Sequence, residues 1–226
     1  MLRLVFFNGL RDGEPGITPY SPGKTGMESQ GSIYDALFKY TKALSVALGY
    51  RDLLTRLHSE RVHGLSDAIG KRCGLDKREL EALRVSSSFH DIGKIGIPDR
   101  VLLKPAQFDE DEWAVMKQHS EIGEKIMLAT ELEVSSRPAR AIRHHHEHYD
   151  GRGYPDGLSG ESIPVGSRII SIADSYDAMA VTRSYHTARS HSKIMSIMHE
   201  ETGRKFDPHL MRIFFEVIRG SPFKVA

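Results

Sequence analysis

A short stretch in the middle of the chain combines three residue types that can do chemistry. The sequence SSFHDIGKIGIPD, residues 87–99, places His90 beside Asp91 and puts Lys94 three residues later. Such a pair could be a buried hydrogen bond, an exposed polar corner or two ligands of one metal ion. The dipeptide alone leaves these three interpretations open.

Polar residues of the same kinds occupy predicted helix faces that are otherwise apolar. His58, for example, shares its face with Leu54 and Val62. The full set comprises His58, His90, Asp91, His119, His145, His146 and Asp174. A single histidine on an apolar face is more often a hydrogen-bonded core residue than a ligand, but burying all of these groups unpaired would cost roughly 1–3 kcal/mol for each. Imidazoles suit Fe, Mn, Zn or Ni and a carboxylate can bridge two ions, so these groups predict a site for two metal ions.

The composition excludes several other classes of protein. At 226 residues the chain predicts one domain, or one domain with an appendage. Its formal net charge of +1, without a long basic run, argues against binding to a nucleic-acid polymer. Cys73 is the only cysteine, which rules out an internal disulfide and fits a reducing compartment. The apolar runs are too short for a signal peptide or a membrane helix, so we expect a cytoplasmic protein without a membrane partner.

Turn-forming residues and helical periodicity divide the chain into two parts. Nine of the 23 residues from 9 to 31 are Gly or Pro, so residues 1–31 are predicted to be irregular. Residues 32–226 are predicted to form the domain. Its first helix carries apolar residues at helical spacing, namely Ile33, Leu37, Tyr40, Leu44 and Leu48.

Local signals predict further helices and no sheet. Asp76 with Glu79, and Asp109 with Glu112, have the spacing of capping boxes at helix starts. A helix that has Pro138 in its first turn is predicted to run to about residue 148. The glycines and prolines of residues 151–164 predict a loop, after which a helix and one or two more follow. No alternating apolar run is long enough for a strand, so the predicted fold class is all-α.

Several strings at these positions resemble the HD-GYP family, a branch of the HD metal-dependent phosphohydrolases. They are HSERV from His58, HDIGK from His90, His119, HHEHYDGRGYP from His145, and Asp174 with Asp177 three residues later. The resemblance extends from about residue 49 to residue 208. It implies an HD-domain helical bundle around a di-metal centre. It also implies one ion held by His58, His90, Asp91 and Asp174 and another held by Asp91, His119, His145 and His146.

The activity implied by the resemblance is hydrolysis of a cyclic dinucleotide, most often cyclic di-GMP to linear pGpG. Two metal ions about 3.5–4 Å apart favour such a reaction, because they offset the phosphodiester charge and lower the pKa of water. Asp91, as the bridge, and Lys94, at the scissile phosphate, would be the catalytic residues. Besides Lys94, the substrate-binding residues implied are Tyr154, Asp177, Arg183 and His186, with support of the metal ligands as the alternative role of Asp177.

Two positions depart from the family pattern. His186 stands where members usually carry another basic residue, which leaves the choice between cyclic di-GMP and 3′3′-cyclic GMP-AMP open. Arg183 retains a guanidinium that can donate two hydrogen bonds to guanine. Leu54 stands where some relatives have a glutamate that recruits a third metal ion. The sequence therefore predicts a two-metal site and a product that stops at the linear dinucleotide.

The resemblance also implies cofactors and partners. The cofactors would be two divalent ions, with Fe or Mn favoured and Ni, Co or Mg as alternatives. In the family the GYP loop contacts partner proteins, often GGDEF domains, and the first helix offers an apolar face for either a homodimer or an intramolecular contact. Two other functions stay open: a nucleotidase or phosphomonoesterase of the HD superfamily, and a module that binds cyclic dinucleotides without turnover.

Overall fold

The structure of the chain is a computed structural model that describes residues 28–50, 53–181 and 188–224. Side chains are described for residues 33–50, 57–181 and 188–224. Within these ranges the backbone forms helices, turns and one isolated bridge between Thr202 and Phe206. The predicted all-α class is confirmed.

Ten α-helices follow one another along the described chain. They are α1 (Glu28–Gly49), α2 (Leu53–Cys73), α3 (Lys77–Phe89), α4 (Asp99–Leu102), α5 (Glu110–Lys117), α6 (His119–Leu128), α7 (Ser136–Arg143), α8 (Val165–Ala180), α9 (His191–Glu200) and α10 (Pro208–Arg219). Three short 3₁₀ helices span Ile92–Gly96, Glu133–Ser135 and Gly160–Ser162. Among the described helices, none has both the length and the apolar character needed to cross a membrane.

Both predicted capping boxes are present and set where α3 and α5 begin. The Asp76 side chain accepts a hydrogen bond from the Glu79 N–H at 2.8 Å, and the Glu79 side chain accepts one from the Asp76 N–H at 2.9 Å. Asp109 and Glu112 repeat this arrangement at 2.8 and 3.0 Å. Each box pairs N–H groups that a helix start leaves without partners. With its start fixed, α3 runs for 13 residues and ends immediately before His90.

Two large apolar clusters meet at α3. One cluster joins α3 to α2, α8, α9 and α10, with buried side chains such as Leu65, Ile172 and Phe214. The other joins α3 to α1, α6 and α7, with Leu37 and Ile142 buried. Burying one such side chain favours the folded state by roughly 1.5–3 kcal/mol. The two clusters together hold α2, α3, α6, α7 and α8 in place, and these are the helices that carry or adjoin the predicted metal ligands.

The buried face of α1 matches the predicted one only in part. Leu37 and Leu48 are buried as expected, and Tyr34 is buried as well, but Tyr40 is 68% exposed and Leu44 is 42% exposed. Tyr34 lies three residues before Leu37 and Tyr40 lies three residues after it, so both fit a helical repeat. Periodicity alone therefore placed Tyr40 and Leu44 wrongly on the buried face. The face that contains Tyr34 packs against α3 and the second cluster.

The predicted boundary of the domain is not decided by the structure. Helix α1 begins at Glu28, four residues before the predicted start of the domain. Residues 1–27, which form most of the predicted irregular segment, lie outside the described residues. The division into residues 1–31 and 32–226 stays a prediction.

Helix α7 is shorter than predicted. It ends at Arg143, five residues before the expected end. His144 leaves helical geometry, with φ −103° and ψ 12°, and the next two histidines lie in the turn that follows. The predicted loop of residues 151–164 is observed, and α8, α9 and α10 match the predicted helices after it.

Candidate metal centre

The His90–Asp91 pair lies where one helix ends and another begins. His90 caps the C-terminus of α3, and Asp91 precedes the 3₁₀ helix Ile92–Gly96. Both side chains are buried. The 3₁₀ helix packs directly on α6, since a Cβ atom at Gly93 would lie 1.8 Å from the carbonyl oxygen of His119. Only glycine permits this approach, which brings His119 beside Asp91.

The structure brings all seven predicted ligands together. His58 lies in α2, His119 is the first residue of α6, and Asp174 lies in α8. His145 and His146 come from the turn after α7. The separation of α5 from α6 at Gln118 was not predicted. Because of it, His119 is the first residue of a helix and not, as expected, a residue within one.

In four of the five histidines a hydrogen bond from the Nδ1 atom to an acceptor oxygen fixes the orientation of the ring. The acceptors are Ser87 O for His90 (2.8 Å), Met116 O for His119 (2.7 Å), Ile142 O for His145 (2.6 Å) and Asp177 Oδ2 for His58 (2.7 Å). A carbonyl or carboxylate oxygen only accepts, so Nδ1 carries the proton in each ring and, in the neutral ring, the Nε2 lone pair is free. Metal-ligating histidines are held in this way by their second nitrogen.

One group of donor atoms forms around the Oδ2 atom of Asp91. His90 Nε2 lies 3.5 Å from it and His58 Nε2 lies 3.9 Å from it. His58 Nε2 is also 3.0 Å from Asp174 Oδ1. Ligand atoms of His58, His90 and Asp91 all lie within 4.8 Å of one another and could hold one metal ion.

A second group forms around His119, whose Nε2 atom faces the other oxygen of the same carboxylate. His119 Nε2 lies 3.6 Å from Asp91 Oδ1, 3.5 Å from His145 Nε2 and 3.2 Å from His146 Nε2. The three histidines meet the same 4.8 Å limit and could hold a second ion. Asp91 therefore directs one oxygen toward each group, which is the geometry of a bridging ligand.

The donor set fits divalent metal ions. His90 Nε2 is buried and has no hydrogen-bond partner, which would cost about 1–3 kcal/mol if it stayed unpaired. His119 and His145 present Nε2 atoms to each other while both Nδ1 atoms carry the proton, so neither ring can donate to the other. A cation between these lone pairs satisfies them, and imidazole with carboxylate is a donor set that first-row transition metals accept.

Burial keeps most of the histidines neutral. It lowers the pKa of His90, His119 and His146, and it lowers the pKa of His145 to about 3. Neutral rings at pH 7 are the form that binds a metal ion. Burial opposes the charge of Asp91 as well, but Lys94 and the neighbouring histidines hold the pKa of its carboxyl well below its usual range.

His58 is the exception among the five histidines. Burial alone would lower its pKa, but hydrogen bonds to Asp174 and Asp177 outweigh burial and raise the pKa to about 9. The same hydrogen bond from His58 helps to keep the pKa of Asp174 well below its usual range, against the effect of burial. In the metal-free protein His58 is thus a cation between two carboxylates, and a metal ion at Nε2 would replace its proton.

Lys94 lies at the edge of the centre. Its Nζ atom is 2.7 Å from Asp91 Oδ2, and its side chain is 18% exposed. The ammonium group is therefore beside the carboxylate shared by both groups and still reaches solvent. A phosphate that approached the centre would meet this positive charge.

Asp177 is buried behind His58, and sequence reasoning missed its second partner. Besides His58, its carboxylate accepts hydrogen bonds from Arg61 Nε at 2.6 Å and Arg61 Nη2 at 2.9 Å. Both oxygens are thereby engaged. Arg61 belongs to the string HSERV, one helical turn after His58, so its position was visible in the sequence but its partner was not.

The loop after His146 covers one side of the centre. The Tyr154 ring stacks on the His146 ring with centroids 4.9 Å apart and planes at 28°. The Tyr154 N–H donates to His146 O at 3.2 Å. A Cβ atom at Gly153 would lie 2.2 Å from His148 N, so this fold of the loop requires glycine there.

A polar network that sequence reasoning missed anchors the same loop. The Asp156 carboxylate accepts two hydrogen bonds from Arg143, at 2.8 and 2.7 Å, and is 2.8 Å from His144 Nε2. The Asp156 N–H donates to the buried Glu147 side chain at 2.7 Å. The glutamate of the HHE string is therefore a support for the loop that presents Tyr154.

The structure does not describe the side chains at three positions for which the sequence predicts a role in specificity or metal number. Arg183 and His186 belong to residues 182–187, and the Leu54 side chain is not among the described side chains. Base recognition and the absence of a third metal ion stay predictions.

Comparisons with known proteins agree with this geometry. The model of the HD domain family matches residues 43–210. A cyclic di-GMP phosphodiesterase of Thermotoga maritima is 34% identical over 194 residues, covering 86% of this chain and 53% of the relative. The 3′3′-cGAMP-specific phosphodiesterase 2 of Vibrio cholerae is 34% identical over 173 residues, covering 76% of this chain and 33% of the relative. The chain thus spans about half of the first relative and a third of the second.

A solved structure has the same fold. The crystal structure of a cyclic GMP-AMP-specific phosphodiesterase of Vibrio cholerae superposes with a TM-score of 0.61 at 21% identity, covering 84% of this chain and 49% of that one. At this identity the likeness shows the fold alone. The family match, however, covers most of the chain and contains both the HDIGK and the HHEHYDGRGYP strings. This chain belongs to the HD domain family, in its HD-GYP branch.

Proposed function

We propose that the chain is a metal-dependent phosphodiesterase that hydrolyses a cyclic dinucleotide, with cyclic di-GMP as the first substrate and pGpG as the product. The observation that carries the proposal is the shared carboxylate of Asp91, on which two groups of histidines converge beside Lys94. Relatives at 34% identity named as phosphodiesterases of cyclic di-GMP and of 3′3′-cGAMP support this class of substrate.

In this proposal the seven converging residues hold two divalent ions. One ion takes His58, His90, Asp91 and Asp174, and the other takes Asp91, His119, His145 and His146. Bound metal ions supply Lewis acidity, which offsets the charge of the phosphodiester and makes water a better nucleophile. Fe or Mn are the preferred ions and Ni, Co or Mg the alternatives, because mixed histidine and aspartate sites accept all of these.

Lys94 is the proposed catalytic cation. Its ammonium is held 2.7 Å from Asp91 and stays partly exposed, so it can turn from the carboxylate to a phosphoryl oxygen of a bound substrate. Charge builds up on those oxygens during the reaction, and a positioned cation stabilises the transition state more than the ground state. Asp91 has a different role, because it would hold both ions and it keeps Lys94 in place.

The remaining polar groups bind and position. Burial raises the pKa of the Tyr154 hydroxyl, so the phenol stays neutral and can donate a hydrogen bond to the substrate. Asp177 was expected either to contact the substrate or to support the metal ligands. His58 and Arg61 engage both of its oxygens, which favours the second role, that of positioning His58. Arg183 and His186 are proposed to meet the base.

A second candidate substrate is 3′3′-cyclic GMP-AMP. One relative at 34% identity carries that specificity in its name. His186, which replaces the usual basic residue, weakens the contact that would read a second guanine. Leu54 cannot ligate a metal ion, so we expect two ions and an end product that is the linear dinucleotide for either substrate.

A substrate panel tests the proposal. The chain is purified without air, loaded with Fe(II) or Mn(II), and given cyclic di-GMP, 3′3′-cyclic GMP-AMP and cyclic di-AMP in parallel. Loss of cyclic di-GMP with accumulation of pGpG is the expected result. Loss of the mixed nucleotide alone would assign the second candidate. If none of the three is cleaved, nucleoside monophosphates are offered next, and their turnover would indicate a nucleotidase. Binding of a cyclic dinucleotide without turnover would indicate a sensing module.

Two protein contacts belong to the same proposal. A GGDEF domain or another signalling protein would bind at the GYP loop, where the Arg152 side chain is 78% exposed. A homodimer would use α1, where Tyr40 and Leu44 are exposed. Light scattering of the purified chain tests the dimer, and co-purification with a GGDEF protein, compared with an Arg152→Glu variant, tests the loop.

A further inference from the structure

A row of aromatic rings leads from the metal centre to the surface. The Trp113 ring meets the Tyr154 ring edge to face, with centroids 6.0 Å apart and planes at 83°. Tyr154 in turn stacks on His146, so only two ring contacts separate Trp113 from a proposed metal ligand. Phe108 stacks on Trp113 with centroids 6.2 Å apart and planes at 18°. Trp113 nevertheless stays 43% exposed.

Positive charge lies beside this row. Lys117 is one helical turn after Trp113 in α5, so both side chains project from the same face. The Nζ atom of Lys117 is 6.0 Å from the centre of the Tyr154 ring. This face of α5 therefore presents an aromatic surface next to a cation, beside the Tyr154 ring that stacks on His146.

The position of Trp113 at the start of α5 explains only part of this arrangement. Phe108 and Trp113 hold the places of a hydrophobic staple around the capping box of Asp109 and Glu112. A staple accounts for the contact between the two rings. It does not account for the exposed part of the indole, or for its contact with the ring that stacks on His146.

We infer that Trp113 is a stacking surface for one base of the substrate and that Lys117 attracts the phosphate that is not cleaved. Aromatic rings bind bases through their faces, and a cation beside them binds the phosphate backbone. A ligand with one phosphate at the metal centre and a second nucleotide over α5 would use both features. The inference rests on the proposed function for the identity of the ligand, and its test separates the two.

Fluorescence gives a direct test, because Trp113 is the only tryptophan in the chain. Manganese-loaded protein is mixed with each of the three cyclic dinucleotides in a stopped-flow instrument, and emission is followed before the first turnover. Stacking of a base predicts saturable quenching in this interval. Quenching without cleavage of any of the dinucleotides would support the stacking surface and contradict the proposed function. Unchanged emission with every dinucleotide would overturn the inference.

Steady-state kinetics separates a binding surface from a staple. Trp113→Ala is expected to raise KM for the preferred dinucleotide by about 10-fold to 100-fold, the effect of losing one stacked base, with kcat within about 3-fold of wild type. Trp113→Phe should restore most of the affinity, because it keeps an aromatic face. Tyr50→Ala, which removes an exposed ring from the turn after α1, is the matched control. A KM of Trp113→Ala within 2-fold of wild type, or a fall in kcat together with lost metal, would overturn the inference.

Discussion

Replacing Asp177 with alanine tests how the protein prepares His58 for a metal ion. Asp177 accepts the Nδ1–H of His58 at 2.7 Å and is itself held by Arg61. Without this acceptor, the His58 proton can occupy either nitrogen and the ring can turn. The Nε2 lone pair then no longer faces the centre in every molecule.

The expected loss follows from the chemistry of such supporting hydrogen bonds. Removing the partner of a metal-bound histidine typically weakens metal affinity by about 10-fold to 100-fold, which corresponds to roughly 1.4–2.7 kcal/mol. The loss should fall on one ion only. His119 and His145 keep their own backbone acceptors, so the second group of ligands is unaffected. At limiting Mn(II), the metal content should therefore fall from two ions per chain to one.

Equilibrium dialysis against a series of free Mn(II) concentrations, with metal measured by mass spectrometry, provides the affinities. Asp67→Ala is the matched control, because Asp67 also lies in an ion pair with an arginine, Arg84, at 2.7 Å, and belongs to the same helix as His58. Asp177→Asn keeps an acceptor oxygen and should lose less than Asp177→Ala. Two ions bound by Asp177→Ala with wild-type affinity would refute the reasoning, and an equal loss in Asp67→Ala would assign the effect to general destabilisation.

Three further predictions concern packing, catalysis and pH. Gly93→Ala forces a Cβ to within 1.8 Å of His119 O and should lower the free energy of unfolding by roughly 3 kcal/mol or more, whereas Gly220→Ala, with no atom within 4 Å, should change it by less than about 0.5 kcal/mol. Denaturant titration measures both, and equal stabilities would contradict the contact. Lys94→Met should keep both ions but lower kcat about 100-fold or more, and a fall of less than 3-fold would remove Lys94 from the chemistry. In metal-free protein the raised pKa of His58, about 9, means that its stabilising protonated form is fully present below about pH 6.5 and is lost as pH rises through 9. The melting temperature in chelator should fall over that range, and a His58→Asn variant should lose this dependence.

Helix starts were predictable because their signals are local. The capping boxes of Asp76 and Asp109 use side chains three residues from their partners, and both were found from the sequence. The buried stripe of α1 was not predictable from spacing, because Tyr34 and Tyr40 both fit a helical repeat with Leu37. Only packing against α3 distinguishes them, and packing depends on residues far away in the chain.

The set of residues that meet at the centre was predictable from residue type, but the orientation of their side chains was not. His90, His119 and His145 each bond through Nδ1 to the carbonyl three residues earlier, at the end of a helix or at the turn between two helices. From periodicity, by contrast, one helix was predicted to continue through His119 and another through His145. The predicted helix that ended near residue 148 would have kept the Ile142 carbonyl for the backbone, and His145 would have lacked the acceptor that directs Nε2 inward.

The adjacency of His90 and Asp91 follows from the same local geometry. His90 caps the C-terminus of α3, because its Nδ1–H group donates a hydrogen bond to the carbonyl oxygen of Ser87 in the last turn. The next residue, Asp91, precedes the 3₁₀ helix, which packs closely on α6 at Gly93. Asp91 therefore projects at the junction between α3 and α6, where one carboxylate can face the histidines of both sides. A residue inserted between the two would rotate the carboxylate by about 100°, roughly a quarter of a helical turn, and separate the two groups of histidines.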